Sequence, residues 1–209
     1  MNKANLKATY DRIADEYARR IYGELDHKPF DREMLQDFAE KVRGGGLVCD
    51  LGCGPGHVAR YLRDLEIDVV GIDLSEKMIE QARKLNPDIE FLQGDMTRLK
   101  QQDASLAGIV AAYSIIHLTP SEIPVAFQEM HRVLRSDGWL LLSFHIGSQT
   151  LRMNEWWGQK VDIDFHFLDP AVITRELESA GFEINRALER DPYPDVEYKS
   201  CRCYILAKS

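Results

Sequence analysis

The feature that most constrains this chain is a short apolar run that ends in a glycine-rich loop. Residues 47–51 (LVCDL) are typical of a buried strand, and Gly52, Gly54 and Gly56 follow at alternate positions before a helical pattern begins. Glycines at this spacing allow a tight turn whose backbone amides approach a ligand without intervening Cβ atoms, and the next helix directs its N-terminus to the same place. The unit predicts a nucleotide-like ligand on an α/β sheet.

Asp50 predicts the charge of that ligand. It lies at the end of the first predicted strand, so we expect its carboxylate to sit beside whatever the glycine loop holds. A carboxylate there repels a pyrophosphate and attracts an ammonium group. The sequence therefore favours a cationic amino acid joined to a nucleoside over a dinucleotide.

After residues 44–46 (GGG) the chain alternates apolar runs of strand length with amphipathic stretches of helix length. We predict strands at residues 47–51, 68–73, 89–93, 108–113 and 139–145, helices at residues 57–65, 75–85, 121–134 and 170–180, and a closing hairpin from residues 182–188 and 201–207. Ser75 and Ser121 are the predicted N-caps of two of these helices. The alternation predicts a Rossmann-like α/β fold, with a seven-stranded, mostly parallel sheet, helices on both faces and the last strand antiparallel.

The 209 residues, 44% of them hydrophobic, fit one domain. Within it we expect a helical N-terminal cap at residues 1–43, a cofactor-binding core at residues 44–147, a substrate-side insertion at residues 148–169, and a C-terminal helix and hairpin at residues 170–209. The sequence does not indicate the oligomeric state.

Composition excludes several classes of partner and compartment. The formal net charge of −8 disfavours a broad nucleic-acid surface. No segment is apolar enough for a secretion signal or a bilayer span, and we expect Cys49 and Cys53 to be free thiols, so the cytoplasm is the expected compartment. The spacing of Cys49, Cys53 and His57 resembles a metal motif, but a buried strand and a helix start do not converge, and we predict no metal.

Acidic residues follow three successive strands. Asp50 and Asp73 end the first and second strands, and Asp95 follows the third. An acid in the second place suits ribose hydroxyls and one in the third suits an adenine amino group. Taken singly, Asp73 could instead cap the helix near Ser75, and Asp95 could be a turn residue. A nicotinamide-dependent dehydrogenase shares the loop and the second acid, but it normally has GxGxxG rather than GxGxG.

Four blocks resemble the class I S-adenosylmethionine-dependent methyltransferases, namely residues 48–56, 70–75, 93–96 and 114–118, and residues 133–140 are similar as well. The resemblance covers residues 46–147 and implies S-adenosylmethionine as cofactor. It implies the following cofactor contacts: Asp50 near the methionine ammonium, Gly52, Cys53 and Gly54 along the methionine moiety, Asp73 on the ribose, Leu74 against adenine, and Asp95 and the Met96 backbone on the adenine edge. In related enzymes an N-terminal helix with the spacing of Tyr10 and Tyr17 closes over the cofactor, although ordinary packing would select the same spacing.

The acceptor side rests on weaker signals. His117 and His145 follow the fourth and fifth strands and are the candidate catalytic residues, as a base or a substrate contact; His117 could equally order its loop. Trp156 and Trp157 could stack on a planar acceptor, or serve only as core or lid packing. His166, in an alternating strand-like run, is a third candidate contact.

Methyl transfer from a sulfonium needs no acid, because the leaving group departs neutral. The protein has to align the two reactants, which can lower a barrier by about 7–11 kcal/mol, and it needs a base only if the acceptor must lose a proton. We therefore expect in-line methyl transfer to a small-molecule acceptor. A methyltransferase acting on RNA or protein, an NAD-dependent oxidoreductase and a non-catalytic cofactor-binding module are the alternatives.

Overall fold

The computed structural model describes residues 3–209, so the first two residues of the expected N-terminal cap lie outside the described part. The strands are β1 Val48–Leu51, β2 Val69–Asp73, β3 Glu90–Gln93, β4 Leu106–Ala112, β5 Leu134–His145, β6 Thr150–Trp156, β7 Gln159–His166, β8 Glu183–Arg190 and β9 Arg202–Lys208. Seven of them form one sheet in the order β3-β2-β1-β4-β5-β9-β8. β9 runs antiparallel to the other six strands of that sheet, which are parallel to one another. This confirms the predicted Rossmann-like fold.

The helices are α1 Lys3–Ile21, α2 Pro29–Val42, α3 His57–Asp64, α4 Glu76–Leu85, α5 Ile123–Val133 and α6 Pro170–Ser179, with 3-10 turns at Glu24–His27 and Ile115–His117. Alternate residues along the central strands face opposite layers. Ile109 packs in the cluster that contains α5 and α6, whereas Val110 packs in the cluster of α2, α3 and α4. Helices therefore cover both faces of the sheet.

The two predicted N-caps have different outcomes. Ser75 caps α4, where its hydroxyl accepts a hydrogen bond from the Met78 amide at 3.1 Å. The prediction for Ser121 is wrong, because the cap position of α5 falls on Glu122 and no side chain caps it. The Glu122 carboxylate instead folds back to accept from the Thr119 amide at 2.9 Å, which shifts the helix start past Ser121.

Two further strands form a separate antiparallel sheet from the segment expected to be an insertion. β6 and β7 are joined by Trp157 and Gly158, both at positive φ (53° and 75°), as a tight hairpin turn of mirror-image type requires. Val161 and Ile163 of β7 pack against Ile13 of α1. The sequence pattern indicated a strand-like run here without its partner strand.

α1 lies between α4 and β7, above the carboxyl ends of the central strands. On the α4 side, Asp11 accepts a hydrogen bond from the Ser75 hydroxyl at 2.7 Å and another from the Lys77 amide at 3.2 Å. Because Ser75 also caps α4, this one serine connects α1 to the first turn of α4. Of the helices in residues 3–209, none has the length and apolarity needed to cross a membrane.

Candidate functional site

A cavity, here called the loop cavity, lies at the carboxyl ends of β1, β2 and β4 beneath α1. It brings together the glycine loop, the acids Asp73 and Asp95 that follow the strands, and α1, which covers the cavity and is called the roof helix below. The residues predicted from sequence that line it are Tyr10, Tyr17, Gly52, Cys53, Gly54, Asp73, Leu74, Asp95, Met96 and His117. The strand order reverses between β1 and β4, and open α/β folds bind their ligands at such a topological switch point.

Gly52 is required by both conformation and space. Its φ of +80° lies in the left-handed region, and a Cβ built on it would lie 2.3 Å from the Ser114 Cβ. The loop therefore passes so close to the chain after β4 that only a residue without a side chain fits. This close approach sets the position of the loop amides at the cavity.

We expect Gly52→Ala to lower the free energy of unfolding by about 2–4 kcal/mol, from overpacking plus backbone strain. Gly44→Ala is the matched control, since Gly44 has a similar φ of +70° but no atom near its built Cβ; it should cost about 1 kcal/mol. Urea unfolding monitored by circular dichroism measures both. Equal losses in the two variants would contradict the steric argument.

Asp73 joins the loop to the end of β2. One carboxylate oxygen accepts from the Gly54 amide at 2.9 Å and the other from the Ser75 amide at 2.8 Å. Burial raises the pKa of Asp73 to about 6, although these backbone hydrogen bonds oppose the shift. The carboxylate is held at the cavity wall, with lone pairs left to accept from hydroxyl groups.

Asp50 is placed differently from its prediction. It is 1% exposed, accepts a hydrogen bond from the Ala59 amide at 2.9 Å, and is not among the described residues that line the cavity. The N-cap of α3 is Gly56, which has no side chain, so Asp50 reaches from β1 to satisfy a free amide in the first turn. Asp50 therefore has a structural partner in α3, and its nearness to the methionine ammonium stays a prediction; burial raises the pKa of Asp50 to about 7.

Glu24 places a negative charge in the lining of the loop cavity, where Asp50 does not lie. It lines the loop cavity and accepts from Lys28 Nζ at 2.7 Å and from His57 Nε2 at 3.2 Å. Burial alone would raise the pKa of Glu24, but His57 and Lys28 lower it to about 2. The sequence contains no motif around Glu24 that would have identified it.

Two buried polar atoms of the loop cavity have no hydrogen-bond partner. They are Ser114 Oγ and His57 Nδ1, both on residues of the cavity lining near Gly52 and Gly54. Buried polar groups are normally paired, so such orphaned atoms fit a site that holds a polar ligand. Sequence reasoning gave neither side chain a role in ligand binding: Ser114 lies in a matched block without a predicted role, and His57 was considered only as a metal ligand and rejected.

The adenine-side acid of the resemblance, Asp95, is reached by the first turn of α1. It accepts from Lys3 Nζ at 2.7 Å and, through its other oxygen, from the Thr97 amide at 2.9 Å. Burial alone would raise the pKa of Asp95, but the hydrogen bonds from Lys3 and Thr97 lower it. Asp95 is therefore a turn residue and a residue of the cavity lining at once, so the two interpretations of it are compatible.

His117 is fixed by two partners. Its Nδ1 donates to the Asp164 carbonyl at 3.0 Å, so in the neutral ring Nε2 accepts from the Tyr10 hydroxyl at 2.7 Å. Burial lowers the pKa of His117 to about 4. His117 therefore connects β7 to α1, and both of its ring nitrogens are already occupied by these two hydrogen bonds.

Because this pKa is below the ordinary value, His117 stabilises the fold fully above about pH 6.5, and that contribution is lost as pH falls towards 4. We expect the stability advantage of the unmodified protein over His117→Gln to shrink by on the order of 2 kcal/mol between about pH 7 and pH 5. Urea unfolding at the two pH values tests this. The exposed His27→Gln should show no such pH-dependent difference, and a constant advantage for His117 would refute the assignment.

A second cavity of about 600 Å³, here called the aromatic cavity, adjoins the first. Trp156 and Trp157 line it, with ring centroids 4.7 Å apart, as does Phe165. His145 also lines it, and its Nδ1 lies 2.9 Å from the Ser200 hydroxyl. The structure therefore brings both tryptophans and His145 to one cavity.

His166 is not among the residues that line either cavity, so its role as a substrate contact stays a prediction without support from the cavity geometry. Its Nδ1 pairs with the Thr150 hydroxyl at 2.9 Å across the β6–β7 register. Phe165 faces the aromatic cavity, and successive side chains of a strand point to opposite faces, so the next residue points away.

Four residues line both cavities and so define the junction between them. They are Tyr10, Tyr17, Glu24 and Tyr113. Tyr10 and Tyr17 come from the roof helix, with their rings 5.8 Å apart edge to face, whereas Tyr113 follows β4. A group transferred between ligands in the two cavities would pass between these side chains.

Known proteins resemble this chain in sequence and in fold. Residues 48–138 match a family model described as a methyltransferase domain. A malonyl-[acyl-carrier protein] O-methyltransferase from Serratia marcescens is 28% identical over 205 residues, covering 94% of this chain and 78% of the relative. A demethylmenaquinone methyltransferase from Beutenbergia cavernae is 33% identical over 102 residues, but that match spans 49% of this chain and 42% of the relative.

Solved structures share the fold across nearly the whole chain. The magnesium protoporphyrin IX methyltransferase of Synechocystis PCC 6803, solved with bound S-adenosylmethionine, superposes with a TM-score of 0.72 at 20% identity and covers 99% of this chain and 96% of its own. The matched domain spans the glycine loop and the strand-end acids that line the loop cavity. The matched domain and the relatives, together with this cavity and this strand order, support a class I S-adenosylmethionine-dependent methyltransferase that takes S-adenosylmethionine as its methyl donor.

Proposed function

We propose that this enzyme transfers the methyl group of S-adenosylmethionine to a small-molecule acceptor held in the aromatic cavity. One observation carries the proposal: a cavity of about 600 Å³ adjoins the loop cavity and shares four lining side chains with it. Small-molecule sites are typically concave, largely apolar and about 300–1,000 Å³ in volume.

The loop cavity would hold the donor through the groups already described. Asp73 would accept from the ribose hydroxyls, Asp95 from the adenine amine, and Leu74 and Met96 would contact the adenine ring. Glu24 is the anion we assign to the methionine ammonium in place of Asp50, since it lines the cavity and remains ionised. The unpartnered Ser114 hydroxyl would bind a polar atom of the methionine moiety.

Bound S-adenosylmethionine supplies an electrophilic methyl group on a positively charged sulfonium. The residues of this chain contribute orientation and exclusion of water. Tyr10 and Tyr17 would enclose the transferring group at the junction, and the link from Tyr10 to His117 keeps that roof in place. Alignment of this kind can lower the barrier by about 7–11 kcal/mol without an acid. We assign His117 a positioning role and leave His145 as the candidate contact on the acceptor side.

The size and the aromatic lining of the cavity favour a small acceptor over RNA or a folded protein. Tyr17 of the roof helix, Trp157 of the β6–β7 hairpin and Tyr198 in the segment before β9 all border it. The net charge of −8 adds to the case against nucleic acid. We also propose the cytoplasm as the compartment, supported by four cysteines that are all free thiols.

The test has two steps. S-adenosylhomocysteine and S-adenosylmethionine at about 100 times their Kd should raise the melting temperature by roughly 5–10 °C, whereas NAD should not. The enzyme is then incubated with methyl-labelled S-adenosylmethionine and a cell extract divided into small molecules, RNA and protein. We expect label in the small-molecule fraction; label only in RNA or protein, or stabilisation by NAD alone, would contradict the proposal.

A further inference from the structure

The aromatic cavity has a charged end that methyl transfer itself does not require. Lys28 and Arg202 line it, although they are only 7% and 2% exposed. Buried cations are costly unless they are paired, so their presence in an otherwise apolar wall needs a reason.

Arg202 is incompletely paired. Its Nη1 donates to the carbonyls of Tyr198, at 2.7 Å, and Ser200. Its Nε lies 3.5 Å from the Glu197 carboxylate, is buried, and has no hydrogen-bond partner. A guanidinium presents its donors in a planar fork that matches a carboxylate, and here part of the fork is unused.

Glu197 cannot satisfy all the cations around it. Its two oxygens accept from Arg190 at 2.7 and 2.9 Å, and one of them also accepts from the Tyr193 amide at 2.8 Å. Lys28 lies 3.6 Å from the same carboxylate and gives its close contact to Glu24 instead. Arg202 is thus the cation of this group whose charge is least matched by hydrogen bonds to carboxylates.

Both cations act on a third residue of the cavity lining, His145. Burial is the main reason that the pKa of His145 is lowered to about 4, but Arg202 and Lys28 add to the shift, and Glu197 opposes it less strongly. Because His145 lines the same cavity, a bound acceptor would lie near Arg202 and Lys28 as well.

We propose that the aromatic cavity selects an acceptor with a flat, apolar body and one carboxylate, bound by Arg202 with help from Lys28. The body packs against the paired rings of Trp156 and Trp157, and the carboxylate completes the hydrogen bonding of Arg202. A doubly charged phosphate fits less well, because Glu24 and Glu197 border the same space. This inference rests on the proposed function, in which the aromatic cavity is the acceptor site.

The test compares three compounds that share a naphthyl ring and carry a negative, a neutral or a positive side group. Binding of 1-naphthylacetate, 1-naphthylacetamide and 2-(1-naphthyl)ethylamine to the intact enzyme is measured by calorimetry, with and without saturating S-adenosylhomocysteine. We expect the acid to bind at least about tenfold more tightly than the neutral amide and the amine to bind most weakly, as charge-assisted pairing with a cation predicts. Equal binding of acid and amide, tighter binding of the amine, or no binding of the acid would overturn the proposal.

Variants assign the effect to Arg202. Arg202→Gln should reduce the preference for acid over amide to within about twofold, and Arg202→Lys should restore part of it. Arg186→Gln is the matched control, since Arg186 pairs with Asp37 on the exposed side of β8. An unchanged preference in a folded Arg202→Gln would overturn the proposal.

S-adenosylhomocysteine separates the two levels of the argument. Its stabilising effect should be the same in Arg202→Gln as in the unmodified enzyme, because Arg202 does not line the loop cavity. Failure of the unmodified enzyme to bind S-adenosylhomocysteine would contradict the proposed function, whereas normal binding together with failure of the acid would contradict only the acceptor class.

Discussion

Replacing Asp73 by alanine is expected to weaken S-adenosylhomocysteine binding by about 100-fold or more, and to abolish turnover at ordinary donor concentrations. The side chain accepts from the Gly54 and Ser75 amides and is the proposed acceptor for the ribose hydroxyls. Hydrogen bonds to a charged group contribute about 1.5–3 kcal/mol each, so the loss of two or more reaches this magnitude. Isothermal titration calorimetry with S-adenosylhomocysteine measures it directly.

A control and a pH series make this result specific. Asp68→Ala removes an exposed acid just before β2, whose partner is Arg63, and should change the affinity by less than about twofold. Since burial raises the pKa of Asp73 to about 6, the fraction of ionised carboxylate grows as pH rises through that value. Affinity should rise over the same range and should not do so in Asp73→Asn. Near-normal binding by Asp73→Ala would contradict the assigned role.

Replacing Glu197 by glutamine should lower the free energy of unfolding by about 3–5 kcal/mol, as expected when a buried ion-pair network loses one partner. The carboxylate is 1% exposed and stands among Arg190, Arg202 and Lys28. Glutamine keeps the shape but leaves these buried cations without their common counter-ion. Differential scanning calorimetry should show a melting temperature lower by roughly 10 °C.

The pH dependence has a definite sign. Burial alone would raise the pKa of Glu197, but hydrogen bonds from Arg190 and the Tyr193 amide lower it to about 2. Its contribution is therefore complete above about pH 4.5 and is lost as pH falls towards 2. Glu189→Gln, an exposed acid beside Arg190, is the control and should change stability by less than about 0.5 kcal/mol. A loss of that small size in Glu197→Gln would refute the network.

The cofactor side was predictable because its residues follow the chain locally. Gly52 follows β1 directly, Asp73 is the last residue of β2, and Asp95 comes two residues after β3; parallel strands bring their carboxyl ends to one edge of the sheet. Their convergence on the loop cavity needs only the strand order, which the alternation of strands and helices already implied.

Asp50 and His166 show what such reasoning does not supply. Both lie on the predicted element, but neither side chain is among those that line the two cavities. Asp50 satisfies the first turn of α3 because Gly56 has no side chain to do so, and His166 pairs across a hairpin whose partner strand was not predicted. Side-chain direction depended on a neighbouring element in each case.

The sequence by itself determined the fold, the enzyme family and the donor, because a glycine loop and strand-end acids are properties of single turns and of strand order. Only the tertiary structure forms the aromatic cavity that we propose for the acceptor. Glu24, Lys28 and Glu197 stand in no recognisable motif, and long-range packing of α1, the β6–β7 hairpin and the segment before β9 brings them to the cavities. A cavity between elements that are distant in sequence has walls, charge and volume that no local pattern encodes.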